Sequence, residues 1–258
     1  MAAEQSFAVI ADAFKVNVNA VDRLLNFDHV IIDVAVEGLG GLAFELEEQH
    51  GSRRAATIIR NRAKLLANIK SADSLRPQYE TIFNQCVVLL VSYFTSAIHT
   101  LFRQGIVVAL SKGADVPVMS EELKFSWRTM AQAEAEREAV FADLLIAQQN
   151  ISFQDMQSIS RAFKEHLNVQ LKRSVDTNNI ILGQAARHVI VHAGGIVDKK
   201  MLRQVSGCNP RSLKRELKLD DRLQFNPQEI RVLSESMTVY VNDATSALNG
   251  ALENREAG

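Results

Sequence analysis

The sequence predicts a mainly α-helical fold, a helical bundle with a small β-hairpin near the C-terminus. Three observations support this class. Only 4 prolines and 12 glycines occur in 258 residues, so few positions interrupt a helix. Aromatic residues make up 6% of the chain, whereas helix-favouring Ala, Leu, Glu, Gln and Arg are abundant. Apolar residues recur at helical spacing along most of the chain.

The charge balance excludes two classes of protein. The 29 basic and 30 acidic residues give a net charge of −1, which excludes a histone-like polycation and an acidic tail protein. A local basic face remains open, because net charge hides patches. A chain that is 47% hydrophobic can bury a large core, as one large domain or two small ones.

Two cysteines cannot build a disulfide framework or a zinc site by themselves. Cys86 begins an apolar run that ends at Val91, which indicates a buried structural thiol. We therefore expect neither a metal site nor a cofactor.

The N-terminal segment predicts a cytoplasmic protein. Glu4, Asp12 and Lys15 interrupt its apolar residues, so it is not typical of a signal peptide. No uninterrupted apolar run approaches the roughly 18 residues of a membrane span. We expect no membrane partner.

The first half of the chain is predicted to hold four elements. Residues 1–27 favour a helix. Residues 28–50 are ambiguous, because Val30 to Ile32 favour a strand whereas 42–49 favour a helix. The glycines between Gly38 and Gly41 would interrupt either element. Residues 52–70 predict a basic amphipathic helix, either a solvated face or a phosphate-facing surface. The clearest helix spans 77–103 and is the expected spine of the bundle.

The middle of the chain predicts shorter helices. Residues 113–117 favour a loop, and Ser120 with Glu121 and Glu122 a helix restart. A charged helix is expected over 126–150. Ser152 to Asp155 are typical of a capping box that opens a helix reaching about residue 172.

The C-terminal third contains the predicted hairpin. A loop over 174–179 precedes a helix over 180–192, which the glycines at 194 and 195 end. A short helix over 198–205 and a turn at 207–210 follow. Alternating leucines and Phe225 around Asp220 and Asp221 predict the β-hairpin over 217–225. Asn226, Pro227 and Glu229 are typical of the start of the last helix.

Most motif-based site types are absent, and histidine remains as the candidate for proton transfer near neutral pH. Arg187 and His192 lie five residues apart with His188 between them. At about 100° per residue their side chains lie about 140° apart, flanking one side of the last helical turn. A spacing of this kind is expected about once by chance in such a chain. The same spacing occurs from Arg161 to His166, which we interpret as a surface coincidence, and His99 as a packing residue.

The sequence around Arg187 distinguishes its Arg–His spacing from the one that begins at Arg161. The stretch from Ala186 to Asp198 resembles the signature of the HEPN superfamily: Arg, a polar residue, a short apolar stretch, His, a glycine-containing loop and an acid. The segment 87–102 is similar to the first core helix of stand-alone prokaryotic members of the RiboL-PSP-HEPN kind. Thr95 departs from the acid found there in many relatives. The resemblance covers about 75–252, which predicts an N-terminal helical extension (1–74) and a HEPN-like domain (75–258).

The resemblance implies a metal-independent endoribonuclease in which a ribose 2′-hydroxyl attacks the adjacent phosphate. It assigns His192 to general acid or base catalysis, Arg187 to the phosphate and His188 to proton transfer or positioning. The helix dipole at His192 favours the general acid. It also implies a homodimer with a composite site, RNA as partner, and a toxin or anti-phage role with an antitoxin or partner subunit.

RNA binding requires positive surface. The cluster that follows the motif is the favoured candidate and the 53–70 helix the second. The cluster comprises Lys199, Lys200, Arg203, Arg211, Lys214 and Arg215. Two other functions stay open at this point: a catalytically inactive HEPN-type module that binds RNA or nucleotide or docks a partner, and a purely structural helical interaction protein.

Overall fold

The computed structural model describes residues 2–72, 75, 79–126 and 136–253, and its mainly helical class confirms the predicted one. Within these residues the chain forms nine α-helices and a 3₁₀ turn at Pro117–Ser120. The helices are α1 (Ala2–Leu25), α2 (Phe27–Glu48), α3 (Arg53–Ser71), α4 (Glu80–Lys112), α5 (Arg137–Gln148), α6 (Met156–Leu167), α7 (Val175–His192), α8 (Lys199–Val205) and α9 (Pro227–Glu253).

Helix α4 is the central element of the bundle. It packs against α1, α5, α6, α7 and α9. Phe94 and Phe102 are fully buried on it, with Phe94 edge-on to both Phe14 and Tyr240. The predicted spine is thus confirmed, but it continues nine residues beyond 103, to Lys112. Gly113 then ends the helix in the left-handed region, at φ 62°.

Helix α4 bears on the expectation that no apolar run approaches the length of a membrane span. Among the described residues it is the one helix that is long and apolar enough to cross a membrane, by length and composition only. Its most apolar window has a mean hydropathy of 1.5, and 44% of that window is buried inside the bundle. Core helices commonly have this composition when neighbours cover them on several sides.

Helix α1 belongs to the same core as α4. Phe7, Phe14, Val21 and Leu25 on α1 are at most 3% exposed, and α1 packs against both α4 and α9. The sequence boundary predicted at residue 74 therefore separates α1 from helices with which it shares a hydrophobic core.

Helices α2 and α3 form a hairpin that packs mostly on itself. The ambiguous segment 28–50 is helical up to Glu48, including its three glycines. Arg60 pairs with Glu47, and Lys70 Nζ lies 2.6 Å from Asp33 Oδ2, so ion pairs join the two helices. The face of α2 turned away from the hairpin is apolar and exposed, and it carries Phe27, Val30, Ile31, Val34 and Leu42.

Several predicted boundaries are corrected. The helix restart at Ser120 is wrong, because residues 117–120 form only a 3₁₀ turn and 121–126 are irregular. Part of the charged helix predicted over 126–150, residues 127–135, lies outside the described residues. Asp155 rather than Ser152 caps α6, accepting a hydrogen bond from Ser158 N at 2.8 Å. That helix ends at Leu167 instead of 172, since Asn168 adopts the left-handed region.

Helix α7 begins five residues earlier than predicted. Ser174 and Thr177 form a capping box, which places the helix start at Val175 inside the expected loop 174–179. Asn178 and Asn179 are consequently buried helical residues instead of caps. The end of the helix at His192 is confirmed.

The predicted C-terminal β-hairpin is wrong. Residues 218–221 do form a turn, with Asp220 at φ 66° and Asp221 N donating to Lys218 O. The flanking segments do not pair with each other, because residues 220–223 bond antiparallel to 195–197 instead. Val197 N donates to Asp221 O at 2.9 Å and Leu223 N to Gly195 O at 2.8 Å, around the bridge between Ile196 and Arg222.

Cys86 is a buried thiol, as its apolar surroundings predicted. It is 0% exposed and free, and burial raises its pKa to about 11. The thiol is therefore protonated near neutral pH and behaves as a small apolar core residue.

Substituting Phe14→Ala tests whether α1 is part of the bundle. Phe14 is 2% exposed and its ring lies 6.4 Å from that of Phe94, so we expect a loss of about 3–5 kcal/mol in the free energy of unfolding. Urea denaturation followed by circular dichroism measures it. Val16→Ala, on the exposed side of the same helix, is the matched control and should change stability by less than about 0.5 kcal/mol. Equal effects of the two variants would contradict the shared core.

Candidate functional site

Helix α7 carries Arg187, His188 and His192, and buried amides fix its first turns. Asn178 Nδ2 donates to Pro210 O at 2.8 Å. Asn179 Nδ2 donates to Ser236 Oγ at 3.0 Å, and its Oδ1 accepts from the backbone N–H of Ser212 at 3.0 Å. These bonds tie α7 both to α9 and to the segment that follows α8. The last turn of α7 is thereby held in a defined place.

A short loop then reverses the chain from α7 into α8. Gly194 and Gly195 both lie in the left-handed region, at φ 59° and 79°. Asp198 ends the loop as the cap of α8, accepting a hydrogen bond from Met201 N at 2.7 Å. The acidic residue of the sequence signature is therefore a helix cap in this chain. The loop places the first turn of α8 beside the last turns of α7.

The reversal brings Lys200 to His188. Lys200 Nζ lies 3.3 Å from His188 Nε2, and the rings of His188 and His192 have centroids 4.9 Å apart. An ammonium can only donate, so this contact requires an unprotonated Nε2. Partial burial, followed by the charges of Lys200 and His192, lowers the pKa of His188 below its ordinary value. His188 is thus predominantly neutral at neutral pH.

Arg187 and His192 differ in their surroundings. His192 is exposed at the C-terminal end of α7 and contacts His188. Arg187 is half-buried, and its guanidinium has no hydrogen-bond or ion-pair partner within the described part of the chain. It lies between two clefts and lines both. A cation that is already in place and unpaired can bind an anionic ligand without breaking an internal ion pair.

The larger cleft is a groove of about 1290 Å³ between α6, α7 and α8. Among the charged side chains that line it, cations outnumber acids, and only two acids, Asp155 and Glu165, are part of it. The Asp155 carboxylate is occupied as the cap of α6. The cations of the groove are Arg161, Lys164, Lys172, Arg173, Arg187, Lys200 and Arg203.

The structure divides the predicted RNA-binding cluster. Lys200 and Arg203 line the groove, whereas Lys199 and Arg215 are exposed outside its wall. The Arg211 guanidinium donates to backbone carbonyls of its own loop, among them Lys214 O at 2.8 Å. Lys214 lies 2.8 Å from Glu229 and over the ring of Phe225. Arg211 and Lys214 therefore stabilise the chain between α8 and α9.

Sequence reasoning missed the cations that α6 and the following segment supply. Arg161 and Lys164 lie one turn apart on α6, so they share a face. Lys172 comes from the segment before α7, and Arg173 there donates to Asn178 Oδ1 and Gly207 O. The i, i+3 spacing of Arg161 and Lys164 is visible in the sequence and predicts that they share a face. Only the packing of α6 near α7 shows that this face lines the groove.

The second Arg–His match does not form a site. His166 is 4% exposed, so its interpretation as a surface residue is wrong. It packs against Phe102, and its Nδ1 lies 3.2 Å from Glu121. Arg161 instead faces the groove. His99 packs edge-on to Phe153, consistent with a packing role, and burial lowers its pKa.

The smaller cleft holds Thr95, where the sequence departs from the acid of the resembled family. Thr95 lines it together with Ser92, Ser96, His99 and Arg187. Without a carboxylate at this position, Arg187 stays available to a ligand. Within residues 2–72, 75, 79–126 and 136–253, no group of three or more His, Cys, Asp or Glu side chains could hold a metal ion.

No protein-family model, curated protein or solved structure matches the chain. The geometry of the groove and of α7 therefore carries the functional argument by itself.

Replacing Lys200 tests the electrostatic coupling of the site. Lys200→Met removes one cation that lowers the pKa of His188, so that pKa should rise towards its ordinary value, while burial keeps part of the shift. Proton NMR titration of the imidazole signals measures it. Lys199→Met, the exposed neighbour on α8, should leave the His188 titration unchanged. A His188 pKa that is unaltered or falls in Lys200→Met would contradict the contact.

Proposed function

We propose that the protein is a metal-independent endoribonuclease that cleaves RNA by transesterification at the end of α7. The observation that carries the proposal is the juxtaposition of two histidines and two cations. The rings of His188 and His192 lie 4.9 Å apart, Lys200 contacts His188, and Arg187, which has no partner among the described residues, lines the same groove. Proton transfer and phosphate binding are the two requirements of this reaction.

The electrostatics of the four residues suggest a division of roles. Arg187 binds the scissile phosphate and stabilises the charge that develops on it. Lys200 turns from His188 to a neighbouring phosphate and so frees the neutral imidazole, which accepts the proton of the 2′-hydroxyl. His192, at the C-terminal end of α7, donates a proton to the leaving 5′-oxygen. The products are a 2′,3′-cyclic phosphate and a 5′-hydroxyl.

The groove supports RNA as the ligand. Three helices and the segment before α7 contribute its seven Lys and Arg side chains. Phosphate contacts from Lys and Arg supply most of the sequence-independent affinity for nucleic acid. The basic helix α3 is a weaker candidate, because Arg60 and Lys70 are paired with acids of α2.

We further propose that two protomers join their α7 ends, so that the motifs form one composite site. Val191, which precedes His192 in the chain, is 48% exposed, and Ile196 in the loop that follows α7 is 38% exposed. Apolar side chains beside a polar site are typical of a surface that a partner covers. A cytoplasmic toxin or anti-phage effector with an antitoxin or partner subunit is the biological setting that we propose.

Cleavage is tested with purified protein and total or transfer RNA in the presence of EDTA. We expect products with cyclic phosphate ends, and no cleavage of an oligonucleotide with a 2′-deoxyribose at the scissile position. Arg187→Ala and His192→Ala should each reduce the rate at least about 100-fold, the usual scale for general acid–base or charge-stabilising residues. His50→Ala, an exposed histidine of the α2–α3 hairpin, is the control and should cleave like wild type.

The proposal is wrong if wild type cuts no RNA, or if both variants cut as fast as wild type. RNA binding without cleavage would favour the catalytically inactive module. Loss of cleavage in EDTA would indicate a metal-dependent reaction.

The composite site is tested by Val191→Glu, which leaves Arg187 and both histidines in place. We expect wild type to be a dimer by light scattering, and the variant to be monomeric and inactive because a buried charge opposes association. Val9→Glu, at an exposed valine of α1, should remain dimeric. A monomeric wild type that cleaves RNA would contradict the composite site and leave the nuclease proposal standing.

A further inference from the structure

The floor of the groove differs in chemistry from its rim. Helices α4, α7 and α9 meet there, and they contribute Val91, Ile181, Gln184, Ala185 and Tyr240 to the lining. Three of these side chains are aliphatic, and none carries a formal charge. We call the Lys and Arg side chains of the groove its rim. A ligand that fills the groove therefore contacts charged side chains at the rim and a largely apolar surface at the floor.

Two polar groups of the floor have no hydrogen-bond partner in the described part of the chain. Gln184 is 9% exposed and its Nε2 is buried and unpaired. Tyr240 is 5% exposed and its hydroxyl is likewise buried and unpaired. Buried polar groups in proteins are nearly always paired, so two orphans on one floor point to a ligand that supplies acceptors. Burial also raises the pKa of Tyr240, which keeps its hydroxyl protonated as a donor.

We infer that the groove floor binds one nucleobase of a single-stranded RNA whose phosphates lie on the cationic rim. This inference rests on the proposed RNA substrate. A base combines apolar faces, which suit Val91, Ile181 and Ala185, with carbonyl and ring-nitrogen acceptors for the Gln184 amide and the Tyr240 hydroxyl. A phosphate is the less suitable occupant of the floor, because neutral donors stabilise its charge less than the rim cations do.

The floor thereby adds recognition of a base to the phosphate binding of the rim. Rim cations bind any RNA strand, since phosphates are the same in every sequence. The floor requires a base that is free to leave its stack, so it selects single-stranded RNA over duplex. The floor lies in the same groove as Arg187 and His188, so the bound base fixes which phosphate reaches them.

The experiment measures binding without cleavage. A fluorescent single-stranded RNA with 2′-O-methyl groups, and an abasic oligonucleotide with the same number of phosphates, are titrated with protein while anisotropy is followed. Wild type should bind the base-containing strand about tenfold more tightly. Tyr240→Phe and Gln184→Met should each weaken binding of that strand about three- to tenfold and leave the abasic strand unchanged. Tyr93→Phe, a half-buried tyrosine of α4 outside the groove, is the control.

The outcomes separate this inference from the nuclease proposal. Equal binding of the two strands by wild type, or no effect of either variant, overturns the nucleobase site even if RNA is cleaved. Base-dependent binding that both variants reduce supports the site even if wild type cleaves nothing. The melting temperatures of both variants show whether they fold like wild type. If both variants melt lower than wild type and lose affinity for the abasic strand equally, their effect is on packing and the inference is wrong.

Discussion

Burial of helix α4 by five other helices is the interaction on which the rest of the structure depends. Fully buried residues occur along most of its length, from Cys86 to Ala109. Helix α7 packs against α4 and α9, and its start is tied to the segment before α9 through Asn178 and Asn179. The backbone position of Arg187 is therefore set by the core.

The sequence contained enough information for most helices and for the end of α7. The start of the last helix at Pro227 is predictable because Asn226 and Glu229 are typical of a reciprocal cap, and both hydrogen bonds are present. The hairpin could not be predicted correctly. Alternating leucines report only that a segment is extended, and the choice of residues 195–197 as the pairing partner depends on where α7 and α4 place that loop.

The part of the candidate site that lies on one helix was predictable from the sequence, whereas the part that depends on tertiary packing was not. Arg187, His188 and His192 lie on one helix, so their spacing groups them, and the sequence around Arg187 distinguishes them from the second Arg–His match. Lys200 meets His188 only through the reversal at 193–198, and Arg161 reaches the groove only because α6 packs beside it. Basic residues counted along the chain were also poor predictors of free cations. The Arg211 guanidinium donates its hydrogen bonds to backbone carbonyls. A count of charges along the sequence cannot distinguish such an arginine from one that is available to bind phosphate.

The loop between α7 and α8 makes the geometry of the site depend on chirality. Gly194 and Gly195 are both left-handed, and an added Cβ on Gly194 would meet no atom within 4 Å. Backbone stereochemistry, and not lack of space, therefore opposes a side chain at position 194. A D-amino acid favours this same region of backbone space. A semisynthetic protein with D-alanine at residue 194 could keep the reversal that holds Lys200 against His188, whereas L-alanine would strain it.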